Sequence, residues 1–276
     1  MNKLLLKNTI TFIKLYIMSN KRTKRILNEI KELQDSYSIL EQSGIYFHFD
    51  ESNVSIVYAM LVGPEDTPYE KGLYFFKFEY PASYPMQPPV AKYCTQGVLI
   101  NPVSKSAYNV RFNPNLYTCG KVCLSMLNTW SGPGWVPTNT ISNVLVAIQA
   151  LVLNDFPLMN EPGFENASKK ELIKYNEIIS YANIKISVLQ MLDKPPPEFL
   201  FFQDKISEIF MKNIDYYRHF LLTKNDTMKD VLVESPAYGM KLVLNYSSLY
   251  EELTNAEEFV LNNNFSKKID LNLEEK

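Results

Sequence analysis

The sequence predicts an α+β fold in which a helix precedes an antiparallel sheet and further helices follow it. Three observations predict this class. Apolar residues recur at helical spacing over residues 21–42, aromatic and β-branched runs occupy 45–94, and helical spacing returns from residue 140. Because the strand segments are joined by short connectors, they are expected to pair as a four-stranded antiparallel meander.

The first helix is predicted from one apolar stripe in which spacings of four and three alternate. The members of the stripe are Ile26, Ile30, Leu33, Tyr37 and Leu40. Four basic residues lie near its start, namely Lys21, Arg22, Lys24 and Arg25. A solvated first turn is the favoured interpretation of this cluster, and a docking face for an acidic partner is the alternative.

Four strands are predicted at 45–49, 53–62, 72–80 and 90–94. The connector GPEDTPYEKG joins the second strand to the third. Between the third and fourth strands, YPASYPMQPPV contains four prolines. Because proline fixes φ and lacks an N–H donor, this segment is predicted to be a stiff, extended loop, of the kind that often carries recognition.

The remainder of the chain is predicted to be helical. A buried central helix is expected over 140–153 and a second helix over 168–192, which KPPPE at 194–198 ends. Two more helices, separated near 225–237, are expected in roughly 199–262. We therefore divide the chain into a disordered leader at 1–20, a core at 21–193, and a helical extension at 194–276 that is dispensable for the core fold.

Composition argues against several classes of protein. With 28 basic and 30 acidic side chains, the chain lacks the basic excess of a nucleic-acid binder. Lysines interrupt the apolar leader, so no membrane span is expected there. Three cysteines do not form a disulfide framework, which favours a reducing compartment: the cytoplasm, with the nucleus left open. No metal site is expected.

The stretch NPNLYTCGKVCLSMLNTW at 113–130 permits a metal clip, a redox pair, a packed strand or a nucleophile. Zinc would need a second ligand pair, and thiol–disulfide chemistry favours a C-x-x-C spacing that is absent here. Thioester exchange needs an exposed sulfur and a donor for the transient oxyanion. The Asn113-Pro114-Asn115 turn would supply a side-chain amide. On these residues alone, a nucleophile and a buried strand cysteine remain equally open.

Three motifs then occur in one order. They are Y-P-x-x-P-P at 84–89, N-P-N at 113–115, ten residues before Cys123, and W-x-P at 135–137. In order and spacing, residues 24–193 resemble the ubiquitin-conjugating enzymes, the E2 family. Within that family they are similar to the large members that carry extensions on both sides of the core and are charged by the second ubiquitin-activating enzyme.

The resemblance implies a role for each matching residue of the site. Cys123 would carry the C-terminal glycine of the modifier as a thioester, and Asn115 would hold the active-site loop and stabilise the oxyanion. Many members have an aspartate two residues after the nucleophile, where this chain has Ser125. The loop carboxylates Asp155 and Glu161 are therefore the candidates for orienting an incoming lysine.

The resemblance also implies partners. Met86, Val136 and Pro137 would face the ligase, and Arg25 with its neighbours would meet the activating enzyme. The implied partners are ubiquitin or a ubiquitin-like modifier, an E1 activating enzyme, an E3 ligase and protein substrates. No cofactor is implied for this chain, because the activating enzyme consumes the ATP.

Two hypotheses for function follow from different classes. The leading hypothesis is an active conjugating enzyme that carries an acyl group from an activating enzyme to a substrate lysine. The alternative is an inactive E2-like scaffold that binds ubiquitin or a ligase without chemistry. Retention of both Cys123 and Asn115 favours the first hypothesis.

Overall fold

A four-stranded antiparallel sheet organises the computed structural model, which describes the backbone of residues 21–50, 52–101, 104–227 and 230–274. Side chains are described as far as residue 262, apart from 51, 102, 103 and 227–229. The strands are Ile45–Phe49 (β1), Ile56–Val62 (β2), Leu73–Glu79 (β3) and Val90–Tyr93 (β4), paired in the order β1-β2-β3-β4. The predicted meander is confirmed. The predicted leader at 1–20 lies outside the described residues.

Strand β3 is buried on both faces, which explains why its sequence, LYFFKFE, is nearly continuous in apolar residues. On one face, the Tyr74 hydroxyl donates to Asn183 Oδ1 at 2.6 Å. On the other face, the ring of Phe75 lies 5.0 Å from that of Phe199, in the extension. The sheet therefore packs between helices of the core and the first segment of the extension.

The helices of the core follow the prediction with local differences. The N-terminal helical segment is two helices, Lys21–Asp35 and Tyr37–Gln42. The central helix is Ile141–Ala147, continued by a π-helical segment at Ile148–Val152. The next is Lys169–Ala182, which continues through π-helical Asn183–Gln190 to Met191–Asp193. Thr140 and Ser168 begin the second and third of these with capping boxes, which satisfy the first free N–H groups.

Short 3-10 segments and two hairpins complete the described chain. The 3-10 segments are Ser125–Leu127, Pro157–Asn160 and Pro197–Phe202. Strands Val98–Ile100 (β5) and Ala107–Asn109 (β6) form one hairpin, and Val231–Glu234 (β7) and Lys241–Leu244 (β8) form the other. The helices of the extension are Gln203–Lys212, Ile214–Thr227 and Tyr246–Glu274.

The predicted helices of the extension are confirmed, and the extension also contains a hairpin that the sequence analysis did not predict. The aliphatic runs VLVE and KLVL flank SPAYGM at 235–240, so they pair across a turn instead of extending a helix. The other hairpin contacts this one, since the Tyr108 hydroxyl donates to the Lys241 carbonyl at 3.2 Å.

The extension shares the apolar core of the sheet. Phe199 is 0% exposed, with ring centroids 5.0 Å from Phe75 and 5.3 Å from Tyr58. Tyr217 is also buried, and its hydroxyl donates to the Lys71 carbonyl at 2.9 Å. This packing argues against the expectation that the extension is dispensable for the core fold. The boundary near residue 193 remains a prediction.

Phe199→Ala tests whether the extension contributes to the core. The substitution removes a fully buried ring, so the free energy of unfolding should fall by about 3–5 kcal/mol. The adjacent Leu200 is 57% exposed and is the matched control, for which alanine should change stability by less than about 0.5 kcal/mol. Urea denaturation of both variants measures the difference. Equal stabilities would show that the core folds independently of the extension.

A buried carboxylate joins three segments that surround the proline loop. Glu29 is buried and accepts from Arg25 Nε at 2.6 Å, from the Tyr84 hydroxyl and from the Ile141 N–H at 3.2 Å. Arg25 Nη2 also donates to the Asn139 carbonyl at 2.8 Å. The N-terminal helix, the proline loop and the central helix therefore meet at one charge pair.

This arrangement changes the interpretation of the basic cluster. The Arg25 side chain is 28% exposed and its guanidinium is directed at Glu29 and Asn139, so it serves the fold rather than presenting a free charge. The exposed basic side chains of that first turn are Lys21 and Lys24.

Arg25→Ala should therefore act on stability. It leaves the Glu29 carboxylate buried without its cation, and the bonds from Tyr84 and Ile141 offset part of the loss. We expect the free energy of unfolding to fall by about 2–3 kcal/mol, measured by urea denaturation. Lys24→Ala is the control and should be neutral. An unchanged midpoint of urea denaturation for Arg25→Ala would contradict this structural role and would favour a role in partner binding.

Candidate functional site

The Asn113-Pro114-Asn115 turn is held by the side chain of its first residue. Asn113 is fully buried, and its Nδ2 donates to the Tyr69 hydroxyl at 3.0 Å and to the Val152 carbonyl at 2.6 Å. Its Oδ1 accepts from the Asn115 N–H at 2.7 Å. The Asn113 side chain thus ties the turn to the end of the central helix.

A second support comes from Arg111, which the sequence analysis did not select. Its Nε donates to the Asn113 carbonyl at 3.1 Å, and its Nη2 donates to the Pro114 carbonyl at 2.7 Å. The guanidinium carbon lies 3.4 Å from the centroid of the Tyr117 ring. These bonds are charge-assisted and therefore strong, and they became visible only in the structure.

The turn holds Cys123 through a reciprocal pair of hydrogen bonds. Cys123 N–H donates to the Asn115 carbonyl at 2.8 Å, and Asn115 Nδ2 donates to the Cys123 carbonyl at 2.7 Å. Thr129, also missed from sequence, holds both neighbours: its Oγ1 donates to the Val122 carbonyl at 2.8 Å and accepts from Leu124 N–H at 2.9 Å. The backbone around Cys123 is therefore fixed on each side.

The amide of Asn115 is incompletely satisfied. Its Oδ1 is buried without a hydrogen-bond partner among the described residues, and its Nδ2 carries a second hydrogen beyond the one directed at Cys123. Buried amide oxygens are rarely left unpaired, and a catalytic role is one of the explanations for an exception. Asn115 thus has hydrogen-bonding capacity left beside the predicted nucleophile.

The three cysteines differ in exposure. Cys123 is 1% exposed, Cys94 is also buried, and Cys119 is exposed. Burial raises the pKa of the Cys94 thiol to about 11, which disfavours the reactive thiolate. The exposed sulfur expected for thioester exchange is not found at Cys123, which is buried.

The two candidate acids lie in different surroundings. Asp155 is exposed, and its backbone carbonyl accepts from Asn176 Nδ2 at 2.8 Å. Its side chain borders a cleft of about 950 Å³ that Gly44 and Val62 also line. Glu161 is half-buried and accepts a hydrogen bond from the Tyr238 hydroxyl of the extension. The role of either carboxylate toward lysine remains a prediction.

The three predicted ligase-facing residues lie on two loops that one hydrogen bond joins. The Trp135 indole N–H donates to the Pro85 carbonyl at 2.7 Å. Met86, next to Pro85, is 73% exposed, and Val136 and Pro137, next to Trp135, are exposed as well. These side chains form an apolar surface that nothing in the described chain covers.

The described residues contain neither a cluster of metal-binding side chains nor a membrane-spanning helix. No three His, Cys, Asp or Glu side chains within this part of the chain group closely enough to hold a metal ion. No helix of the described ranges has both the length and the apolar character to cross a membrane.

Comparison with known proteins agrees with this geometry. Residues 25–179, more than half of the chain, match the family model of the ubiquitin-conjugating enzyme. The chain is 36% identical to ubiquitin-conjugating enzyme E2 Z of Homo sapiens over 217 residues, covering 76% of this chain and 56% of that one. It is 37% identical to E2 Z of Danio rerio over 204 residues (72% and 58%) and 39% identical to E2 Z of Xenopus tropicalis over 177 residues (63% and 53%).

The chain thus spans little more than half the length of these relatives. The matched residues nevertheless include the whole four-stranded sheet, the Asn-Pro-Asn turn, Cys123 and the central helix. The family model and the observed architecture coincide over these residues. The chain belongs to the ubiquitin-conjugating enzyme family.

Proposed function

We propose that this protein accepts ubiquitin or a ubiquitin-like modifier from an activating enzyme as a thioester on Cys123. It then transfers the modifier to a substrate lysine, usually together with a ligase. The observation that carries the proposal is the reciprocal hydrogen bonding of Cys123 and Asn115, which places an amide with unused capacity beside this cysteine alone among the three.

The chemistry needs two balanced exchanges. In charging, the Cys123 thiolate attacks the carbonyl of the modifier's C-terminal glycine, and the cysteine of the activating enzyme leaves as a thiolate. In discharge, a neutral lysine amine attacks the same carbonyl, Cys123 leaves as a thiolate, and an isopeptide bond remains after the amine loses a proton. Both steps pass through an oxyanion, to which the second Asn115 N–H would donate.

The surroundings of the other cysteines support this choice. Cys94 lies at the end of β4, and its raised pKa disfavours the thiolate at neutral pH. Cys119 occupies the turn that the Gly120 N–H closes on the Tyr117 carbonyl at 2.9 Å, whereas the hydrogen bonds of Asn115 are directed at Cys123. Exposure by itself favours Cys119 as the nucleophile, whereas the position of the Asn115 amide favours Cys123.

Partner surfaces are assigned on the same basis. The ligase would bind the apolar surface of Met86, Val136 and Pro137, since exposed apolar side chains grouped on rigid loops are typical of interaction sites. The activating enzyme would meet the exposed first-turn cations Lys21 and Lys24. A reducing location, the cytoplasm with the nucleus left open, would keep the thiols free.

One observation favours the second candidate function, an inactive E2-like scaffold. Cys123 is 1% exposed, and one N–H of Asn115 is already bonded to the Cys123 carbonyl. A scaffold of this kind would bind a modifier or ligase and form no covalent adduct. Charging therefore separates the two functions directly.

The test is charging with an activating enzyme, ATP and each modifier in turn, followed by gels with and without thiol reductant. Wild type should give an adduct one modifier heavier that reductant removes, because thioesters exchange with free thiolates. Cys123→Ser should give a slower, reductant-resistant oxyester, since an alkoxide forms less readily and is a poorer leaving group.

Cys119→Ser and Cys94→Ser are the matched controls and should retain the labile adduct. A labile adduct that survives in Cys123→Ser and disappears in Cys119→Ser would move the nucleophile to the exposed cysteine. Absence of any adduct in the wild type would favour the scaffold.

A further inference from the structure

The hairpin of the extension reaches the support of the Asn-Pro-Asn turn. Its turn at 235–240 carries Tyr238, whose ring centroid lies 5.0 Å from the Arg111 guanidinium carbon. The Tyr117 ring lies 3.4 Å from the same carbon. Since a guanidinium is attracted to an aromatic face within about 6 Å, both rings favour the observed position of Arg111.

Arg111 transmits this contact to the site. It donates to the Asn113 carbonyl at 3.1 Å and to the Pro114 carbonyl at 2.7 Å, and these two bonds hold the turn. This turn also contains Asn115, whose Nδ2 donates to the Cys123 carbonyl. A continuous series of contacts therefore runs from the extension to the proposed nucleophile.

Tyr238 has two further contacts on the same side of the molecule. Its hydroxyl donates to the carboxylate of Glu161, one of the two candidate lysine-orienting acids. Its ring centroid lies 6.4 Å from that of Tyr175, whose hydroxyl donates to the Arg111 carbonyl at 2.9 Å. Burial and the Glu161 carboxylate raise the pKa of Tyr238, so its hydroxyl remains a donor at neutral pH.

The backbone of Tyr238 has a conformation that glycine adopts more readily than tyrosine. Its φ is +62°, in the left-handed region that favours glycine, and Gly239 follows with φ +60°. The side chain is 40% exposed, so it is not a core residue either. A large aromatic residue in a strained turn position is a reason to look for a function of the ring.

We propose that Tyr238 is a positioning residue for lysine transfer. Its ring keeps Arg111 on the carbonyls of the turn, and the turn keeps Asn115 against Cys123. The inference rests on the proposed function and assigns part of the extension to the reaction. Tyr238 touches neither modifier nor lysine in this account, and it forms no bond in either exchange.

Tyr238→Gly is the decisive variant, because glycine accepts the left-handed backbone and removes the ring. The isolated thioester should discharge to free lysine with a maximal rate on the order of tenfold lower, because small displacements of catalytic groups lower the rate strongly. The KM for lysine should not change, and the melting temperature should not fall. Tyr238→Phe, which keeps the ring, should stay within about twofold of wild type.

Two further variants test whether the effect of Tyr238 on discharge is specific and whether it is exerted through Arg111. Leu232→Ala alters an exposed residue of the same hairpin, away from its turn, and should not affect discharge. Arg111→Lys keeps the charge and loses the planar fork, so it should also slow discharge. If Tyr238 acts through Arg111, the double variant should be no slower than the slower single variant. Additive losses would contradict that route.

A second readout does not depend on activity. In Tyr238→Gly, iodoacetamide should alkylate buried Cys123 on the order of tenfold faster than in wild type, with exposed Cys119 as the internal reference in the same mass spectrum. Failure of wild type to charge would count against the proposed function alone. Unchanged Cys123 alkylation together with wild-type discharge, or a discharge loss that tracks a lower melting temperature, would overturn the role of Tyr238.

Discussion

The reciprocal pair between Asn115 and Cys123 is the constraint on which the site depends. Two bonds of 2.8 and 2.7 Å fix the backbone of the predicted nucleophile to an asparagine eight residues before it. Thr129 holds the flanking peptide groups, so the backbone of Cys123 is fixed on both sides. Preorganisation of this kind matters because donors aimed in advance need no rearrangement when an oxyanion forms.

The supports of that pair come from distant parts of the chain. Asn113 connects the turn to Tyr69 and to the end of the central helix. Arg111 donates to the carbonyls of Asn113 and Pro114 in the same turn. Glu29 plays a comparable part for the proline loop, which it joins to the N-terminal helix and to the start of the central helix. The extension adds burial against β3 and a contact with Arg111. Asn113 and Arg111, which hold the turn of the site, thus also connect it to the central helix and to the extension.

Sequence reasoning recovered the sheet and the central helix, because aromatic and β-branched runs, helical spacing and the connectors between strands are local signals. It failed where partners are distant in sequence. Arg25 looked like a surface cation, since nothing nearby indicates that Glu29 is buried beneath it. Burial of Cys123 and the contact of Tyr238 with Arg111 depend on tertiary packing. The hairpin at 231–244 was missed although its two aliphatic runs and its glycine were visible, which is an error of pattern assignment.

The most direct measurement of the central claim is single-turnover lysine discharge by Asn115→Ala, with thermal melting of the same protein. Loss of the amide should lower the free energy of unfolding by about 1 kcal/mol, since one bond to the Cys123 carbonyl is lost. Discharge should slow on the order of 100-fold or more, because a transition-state donor is lost as well. Unchanged melting together with unchanged discharge would contradict both the bracing and the catalytic role of Asn115.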